Sequence, residues 1–165
     1  MVGEVVAGQA IREATDGAIT KSQFAGLEFI YLHPSCCIKD LARGLGVSHP
    51  AAVKLVERLV ARQFVRRRIS ATDRRVVQLR PTAMGARLVK LVQQRRAQLT
   101  EQVLDAMAEG TGQRLLEAMT NFVRSAIQPS KGQQPSICLH CGVAHDDECP
   151  VHKAEAWLGV ESHIK

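Results

Sequence analysis

Residues 37–85, CIKDLARGLGVSHPAAVKLVERLVARQFVRRRISATDRRVVQLRPTAMG, constrain the fold of this 165-residue chain more than any other stretch. Ile38, Leu41, Ala42 and Leu45 give a short amphipathic helix, and Gly46 is a residue able to take the left-handed conformation that ends it. Ser48 is the natural cap of a second helix, with Pro50 in its first turn, where a missing N–H costs nothing. In that helix Val53, Val56, Leu59 and Val60 point toward a core, while Lys54, Arg58 and Arg62 recur every four residues on the other side. Residues 64–69 and 76–79 have strand character, and the polar segment 70–75 joins them as a long hairpin.

Charge is concentrated in the same place. Residues 38–80 hold eleven Lys/Arg against three acids, whereas the stretch from 128 to 165 has three basic and five acidic residues. A solvated surface explains scattered lysines, but not an excess gathered into one helix–hairpin unit. Such a segment is the electrostatic footprint of a polyanion, and a helix sized for the major groove followed by an arginine-tipped finger holds duplex DNA at two places. With 45% apolar residues the chain is not disordered, and its length suits one main domain with a small appendage. No apolar run approaches the length of a bilayer span, and MVGEVVAGQAIREATDG lacks the charged start and long apolar block of a signal peptide. The expectation is a cytoplasmic protein with no membrane partner.

The flanks read as helices. Residues 2–17 carry an apolar stripe of Val2, Val5, Val6 and Ala10. Thr20 and Gln23 form a capping-box pattern for a helix with Phe24, Leu27, Ile30 and Tyr31 on one side, stopped by His33-Pro34. Thr82 starts a long helix with Leu88, Val92, Leu99, Val103 and Met107 as buried positions; Gly110-Thr111-Gly112 breaks it. Leu116, Met119, Val123 and Ile127 lie at helical spacing in the last one. The fold class expected is mainly α with a small β-hairpin wing (α+β). Helices outside the reading unit at both ends of so short a chain point to a second copy. Two half-sites about one helical turn apart multiply affinity, so a homodimer on a palindromic operator is expected.

These residues resemble the MarR family of winged helix-turn-helix transcription regulators from about residue 20 to 127. The resemblance rests on LARGLGVSHPAAVKLVERLVARQFVRR, the wing ATDRRVVQLRPTAMG with its Asp-x-Arg and Leu-x-Pro/Thr-x-x-Gly steps, and the helix order. It implies a homodimer with intertwined terminal helices and one winged lobe, about 36–81, per subunit on double-stranded DNA. It places Ser48, His49, Pro50 and Lys54 on the major-groove helix, with Arg58 one turn on. Arg74 and Arg75 fall at the wing tip, where Arg75 enters the minor groove, and Asp73 falls on the acid that braces an arginine. Independently, an A·T-rich minor groove is narrow and strongly negative, so an inserted guanidinium reads its shape. An acid two residues away sits on the same side of an extended strand. Ala51 and Val53 stand where many members carry Thr or Ser. Ala51 can touch a thymine methyl but cannot hydrogen-bond a base edge, which leaves direct readout to His49 and Lys54.

Beyond residue 127 the composition changes. Residues 128–137 read as a linker, and 138–165 as a tail that the family pattern does not usually have. ICLHCGVAHDDECPVH contains Cys138, His140, Cys141, His145, Cys149 and His152. In a reducing compartment such a cluster favours a metal over disulfides. Cys138-x2-Cys141 and Cys149-x2-His152 would give a Cys3His site for structural Zn²⁺, with His145 as the rival fourth ligand. His140, inside the first turn, is poorly placed. An iron–sulfur or redox-labile cluster is the minor alternative. Cys36 and Cys37 cannot easily chelate one ion, and burial is the better reading for them.

Function is expected to be that of a DNA-binding regulator, a repressor, responding to a small molecule, metal or redox signal, and not an enzyme. The alternatives are a zinc-dependent enzyme, for which Asp146, Asp147 and Glu148 lie near the metal but lack a scaffold, and a protein-interaction module built on the tail.

Overall fold

The computed structural model describes residues 2–69 and 74–126. Asp73, the linker and all the proposed metal ligands lie outside the described residues. The elements are α1 (Val2–Thr15), α2 (Lys21–Leu32), α3 (Ile38–Leu45), α4 (His49–Ala61), β1 (Val65–Ile69), β2 (Val77–Pro81), α5 (Ala83–Asp105) and α6 (Thr111–Ala126). Two units divide the chain. Met1–Gln102 contains α1 to α4, the hairpin and most of α5, and the second begins at Val103.

Local chemistry sets the helix ends in the first unit. Thr20 Oγ1 accepts from the Gln23 N–H at 3.2 Å, and the Gln23 side chain accepts from the Thr20 N–H at 3.1 Å, closing the capping box that starts α2. A cap of this kind contributes about 1 kcal/mol. Gly46 takes φ 63° at the end of α3, and the Val47 N–H returns to Ala42 O at 3.0 Å. Thr82 caps α5, its hydroxyl accepting from the Gly85 N–H at 3.0 Å. One cap had no sequence cue. Asp40 accepts from both the N–H and the S–H of Cys37, each at 3.0 Å, and so fixes the start of α3.

The core joins all of these elements. Phe24, Leu27 and Ile30 of α2 meet Leu41 of α3, Val56 and Leu59 of α4, Val65 and Leu79 of the hairpin, and Val89 and Val92 of α5, all fully buried. The buried stripe of α4 is Ala52, Val56 and Leu59, with Val53 and Val60 only half-buried. Val56 and Leu59 are thus in the core as expected, while Val53 and Val60 lie at its margin and Ala52 takes the inward place. The small Ala52 faces inward because α4 packs on both α2 and α3. Gly85 admits the closest backbone approach. A Cβ there would sit 2.1 Å from Phe64 O, the carbonyl that also receives the Thr82 N–H at 2.9 Å.

The hairpin is antiparallel, pairing Val65 with Pro81, Arg66 with Arg80, Arg67 with Leu79, Arg68 with Gln78 and Ile69 with Val77. The far edge of β2 is also occupied: Leu79 N–H donates to Cys36 O at 2.8 Å and Leu79 O accepts from Ser35 N–H at 3.3 Å. Residues 35–36 thus lie along β2 as a short third ribbon. Arg95 pairs with Glu13 at 2.6 Å, and Arg96 with Glu28 at 3.4 Å, tying α5 to α1 and α2.

In the second unit most of the apolar positions read from the sequence are exposed among the described residues. Val103, Leu116 and Met119 are exposed and Met107 is half-buried. Leu115 and Phe122 are exposed beside them, Phe122 at 73%. Val123 and Ile127 lie outside what the structure describes of side chains.

Candidate nucleic-acid interface

Three short segments build the interface, all within the first unit. The turn at residues 46–48 delivers the chain from α3 to α4, and burial of Leu41 and Ala42 against α4 fixes the angle between them. At the start of α4, Ser48 adopts extended backbone and its hydroxyl accepts from the Ala51 N–H at 3.4 Å. Ser48, His49, Pro50, Ala51, Lys54 and Arg58 are all exposed. Their side therefore remains open while Ala52, Val56 and Leu59 hold the opposite side in the core. A helix N-terminus presents unpaired N–H groups and the positive end of the helix dipole, which favours phosphate.

Arg62 departs from the reading of a 54, 58, 62 basic stripe. Its guanidinium donates to Ala18 O and to Gln23 Oε1, the latter at 3.4 Å, and lies 5.9 Å from the centre of the Phe64 ring. Arg62 fastens the end of α4 to the α1–α2 connection and to the hairpin base. Spacing alone could not separate it from Lys54 and Arg58, because the partners are remote in sequence.

The wing supplies the rest. Arg74 and Arg75 are exposed in the turn before β2. Asp73, expected to brace an arginine, is outside the described residues. β1 adds what the motif reading left unassigned: Arg66, Arg67 and Arg68 are all exposed while Val65 beside them is buried. The available signal was the alternation of a strand, which places neighbouring residues on opposite faces.

The cysteine pair behaves as two different groups. Cys36 is 9% exposed, and burial, then the Asp40 carboxylate and Cys37, push its thiol up to about 12. It is a packed, protonated thiol at neutral pH. Cys37 is half-buried and serves as the N-cap of α3. Burial opposes the charge on Asp40, yet the hydrogen bonds from Cys37, with Arg43 and Lys39 nearby, hold its carboxyl below the usual carboxylate range. Among the described residues, no group of three or more His, Cys, Asp and Glu could hold a metal ion, and no helix is long and apolar enough to cross a membrane.

A helix pair with an open second N-terminus, followed by a basic two-stranded hairpin, defines a winged helix-turn-helix protein. Residues 19–77 match the model of the MarR family. RV1404 from Mycobacterium tuberculosis is 25% identical, with 77% of this chain and 86% of that one covered at a TM-score of 0.68. The transcriptional regulator Tm0710 from Thermotoga maritima is 26% identical, over 70% of this chain and 82% of its own, with a TM-score of 0.58. FabT from Streptococcus pneumoniae, solved in complex with DNA, shares the fold at 20% identity and a TM-score of 0.61, with 74% of this chain and 85% of that chain covered. No curated protein sequence matches the chain.

Proposed function

We propose that this protein is a transcription regulator that binds double-stranded DNA as a homodimer. One observation carries the reading: the exposed N-terminal side of α4, bearing Ser48, His49, Lys54 and Arg58, belongs to the same packed unit as the arginine-rich hairpin. Neighbours of the same fold support it, Tm0710 being a transcriptional regulator and FabT having been solved with DNA. The exposed apolar side chains on α6, Leu116, Met119 and Phe122, suit burial against a second copy. In this reading α4 enters the major groove, Lys54 and His49 reach base edges, and Arg75 enters the minor groove. The protein acts as a repressor whose DNA affinity an effector alters.

Fluorescence anisotropy on DNA from just upstream of its own gene tests the assignment. Wild type should bind with an affinity that falls steeply as salt rises. Arg75→Ala should weaken operator binding by about 1–3 kcal/mol while leaving the unfolding midpoint unchanged, since an exposed turn residue supports no core. Equal affinity of wild type and variant at matched salt would remove Arg75 from the interface.

The tail is proposed to hold one structural Zn²⁺ per subunit through Cys138, Cys141, Cys149 and His152, with His145 as the competing fourth ligand. The spacing of the two pairs in a segment too short to bury a core supports this. Purified under reducing conditions, the protein should contain one zinc per chain and lose it as acid protonates the thiolates. Chelation should open the tail to proteolysis and leave the winged-helix unit, which has its own core, folded. His152→Ala should lose more metal than His145→Ala. Protein that carries neither zinc nor iron would overturn the site, and a visible absorption band with bound iron would replace zinc by a redox cluster.

A further inference from the structure

We infer that Arg62 is a positioning residue for DNA binding: its guanidinium pins the end of α4 to the α1–α2 connection and so fixes the pose of the reading helix. The inference rests on the proposed DNA-binding function and assigns Arg62 no contact with the duplex.

The buried side of α4 stops short of the helix end. Ala52, Val56 and Leu59 are fully buried, and beyond them Val60 is half-buried while Ala61, Arg62 and Gln63 are exposed. The chain returns to the core at Val65, the first residue of β1. Between those points lies the joint between the reading helix and the hairpin. Its backbone closes by two bonds, Gln63 N–H to Val60 O and Phe64 N–H to Leu59 O, each at 2.9 Å. Such a helix stop favours glycine at its left-handed position, yet Gln63 stands there at φ 60°. The joint draws support from elsewhere. The Thr82 hydroxyl donates to Gln63 O at 2.7 Å, and the Arg62 side chain reaches back to the start of the chain.

Arg62 makes a firm tie because its partners are themselves held. Its guanidinium donates to Ala18 O and, at 3.4 Å, to Gln23 Oε1. The Ala18 N–H donates to Thr15 O at 2.7 Å, and the next residue, Ile19, is buried. Gln23 Oε1 also accepts from the Thr20 N–H in the cap of α2. The same guanidinium lies 5.9 Å from the centre of the Phe64 ring, so one side chain meets the α1–α2 connection, the α2 cap and the hairpin base. A helix rises about 1.5 Å per residue, which places this tie about 12 Å along the axis from Lys54. A helix held at its middle can rock about that point. A second fixed point near its end removes the rocking and keeps Lys54 and the wing at one spacing. Groups ordered in advance bind at a lower entropic cost.

The test compares Arg62→Met and Arg62→Lys with wild type in the full chain, by fluorescence anisotropy on the upstream duplex over a range of salt. Methionine keeps an unbranched stem beside Phe64 and removes the donors. Arg62→Met should weaken binding about 2- to 10-fold, the worth of one hydrogen bond, with the slope of log K on log salt as in wild type. Arg62→Lys restores a donor for Ala18 O and should recover most of the lost affinity. A slope reduced by about 0.9 in Arg62→Met would make Arg62 a phosphate contact and overturn the positioning role. Unchanged affinity in Arg62→Met, with or without a lowered unfolding midpoint, would leave Arg62 no part in binding and overturn it too. Arg62→Lys binding no better than Arg62→Met would remove the bond to Ala18 as the cause. In each of these results wild-type binding keeps the DNA-binding function intact. Absence of salt-dependent duplex binding by wild type would overturn that function itself, and the positioning role with it.

Discussion

Gly85→Ala is expected to lower the stability of the first unit by about 2 kcal/mol or more in urea unfolding. A helix interior ordinarily gains about 1 kcal/mol from this change. Here the added methyl would meet Phe64 O at 2.1 Å, and that oxygen is held in place by the Thr82 N–H and hydroxyl. A backbone carbonyl cannot swing away as a side chain would. Either α5 retreats from the hairpin base or the Thr82 cap breaks, and overpacking of this kind costs about 1–3 kcal/mol or more. Gly112→Ala is the control, because its nearest neighbours belong to Leu104 at an ordinary 3.6 Å. That variant should be neutral or slightly stabilised. If both glycine variants unfold at the same urea concentration as wild type, the contact between α5 and the hairpin is looser than described.

The second large effect is expected on α4, where two substitutions should fail in different ways. Lys54→Ala should cost about 1–3 kcal/mol on the operator, roughly a 5- to 150-fold loss, and should change which bases are preferred. Its position one turn into the helix, on the exposed side, is where a side chain reaches base edges. Arg58→Glu, a turn further on, places an acid toward the phosphates and should weaken all duplexes alike. Competition binding against a panel of single-base operator variants separates the two. An unaltered base preference in Lys54→Ala would reassign that residue to the backbone.

Much of the reading unit was legible because short-range rules govern it. The Thr20 capping box, the Gly46 stop, the Ser48 cap and the Thr82 start each involve residues within four positions of one another, and all stand in the structure. Those features that escaped depend on distant partners. Arg62 shares the spacing of Lys54 and Arg58 but bonds to Ala18, far back in the chain. Val53 satisfied the helical period as well as Ala52 did, and only the packing of α4 on α2 and α3 decided between them. The Cys37–Asp40 cap used a residue outside the usual Ser/Thr/Asp/Asn set. Arg66, Arg67 and Arg68 were visible as charge, but the strand register was needed to divide them between two faces. On α6 the apolar period was plain in the sequence, and nothing in a single sequence states whether its cover comes from the same chain or another.

The ribbon formed by residues 35 and 36 has a mechanical consequence. Leu79 is wholly buried and both donates to and accepts from this ribbon, which ends one residue before the cap of α3. Wing and helix-turn-helix therefore share one anchor: β2 cannot be drawn away from the start of α3 without breaking the Leu79 bonds to Ser35 and Cys36. The wing and α3 are thus coupled through main-chain bonds, which truncating a side chain along the ribbon does not remove.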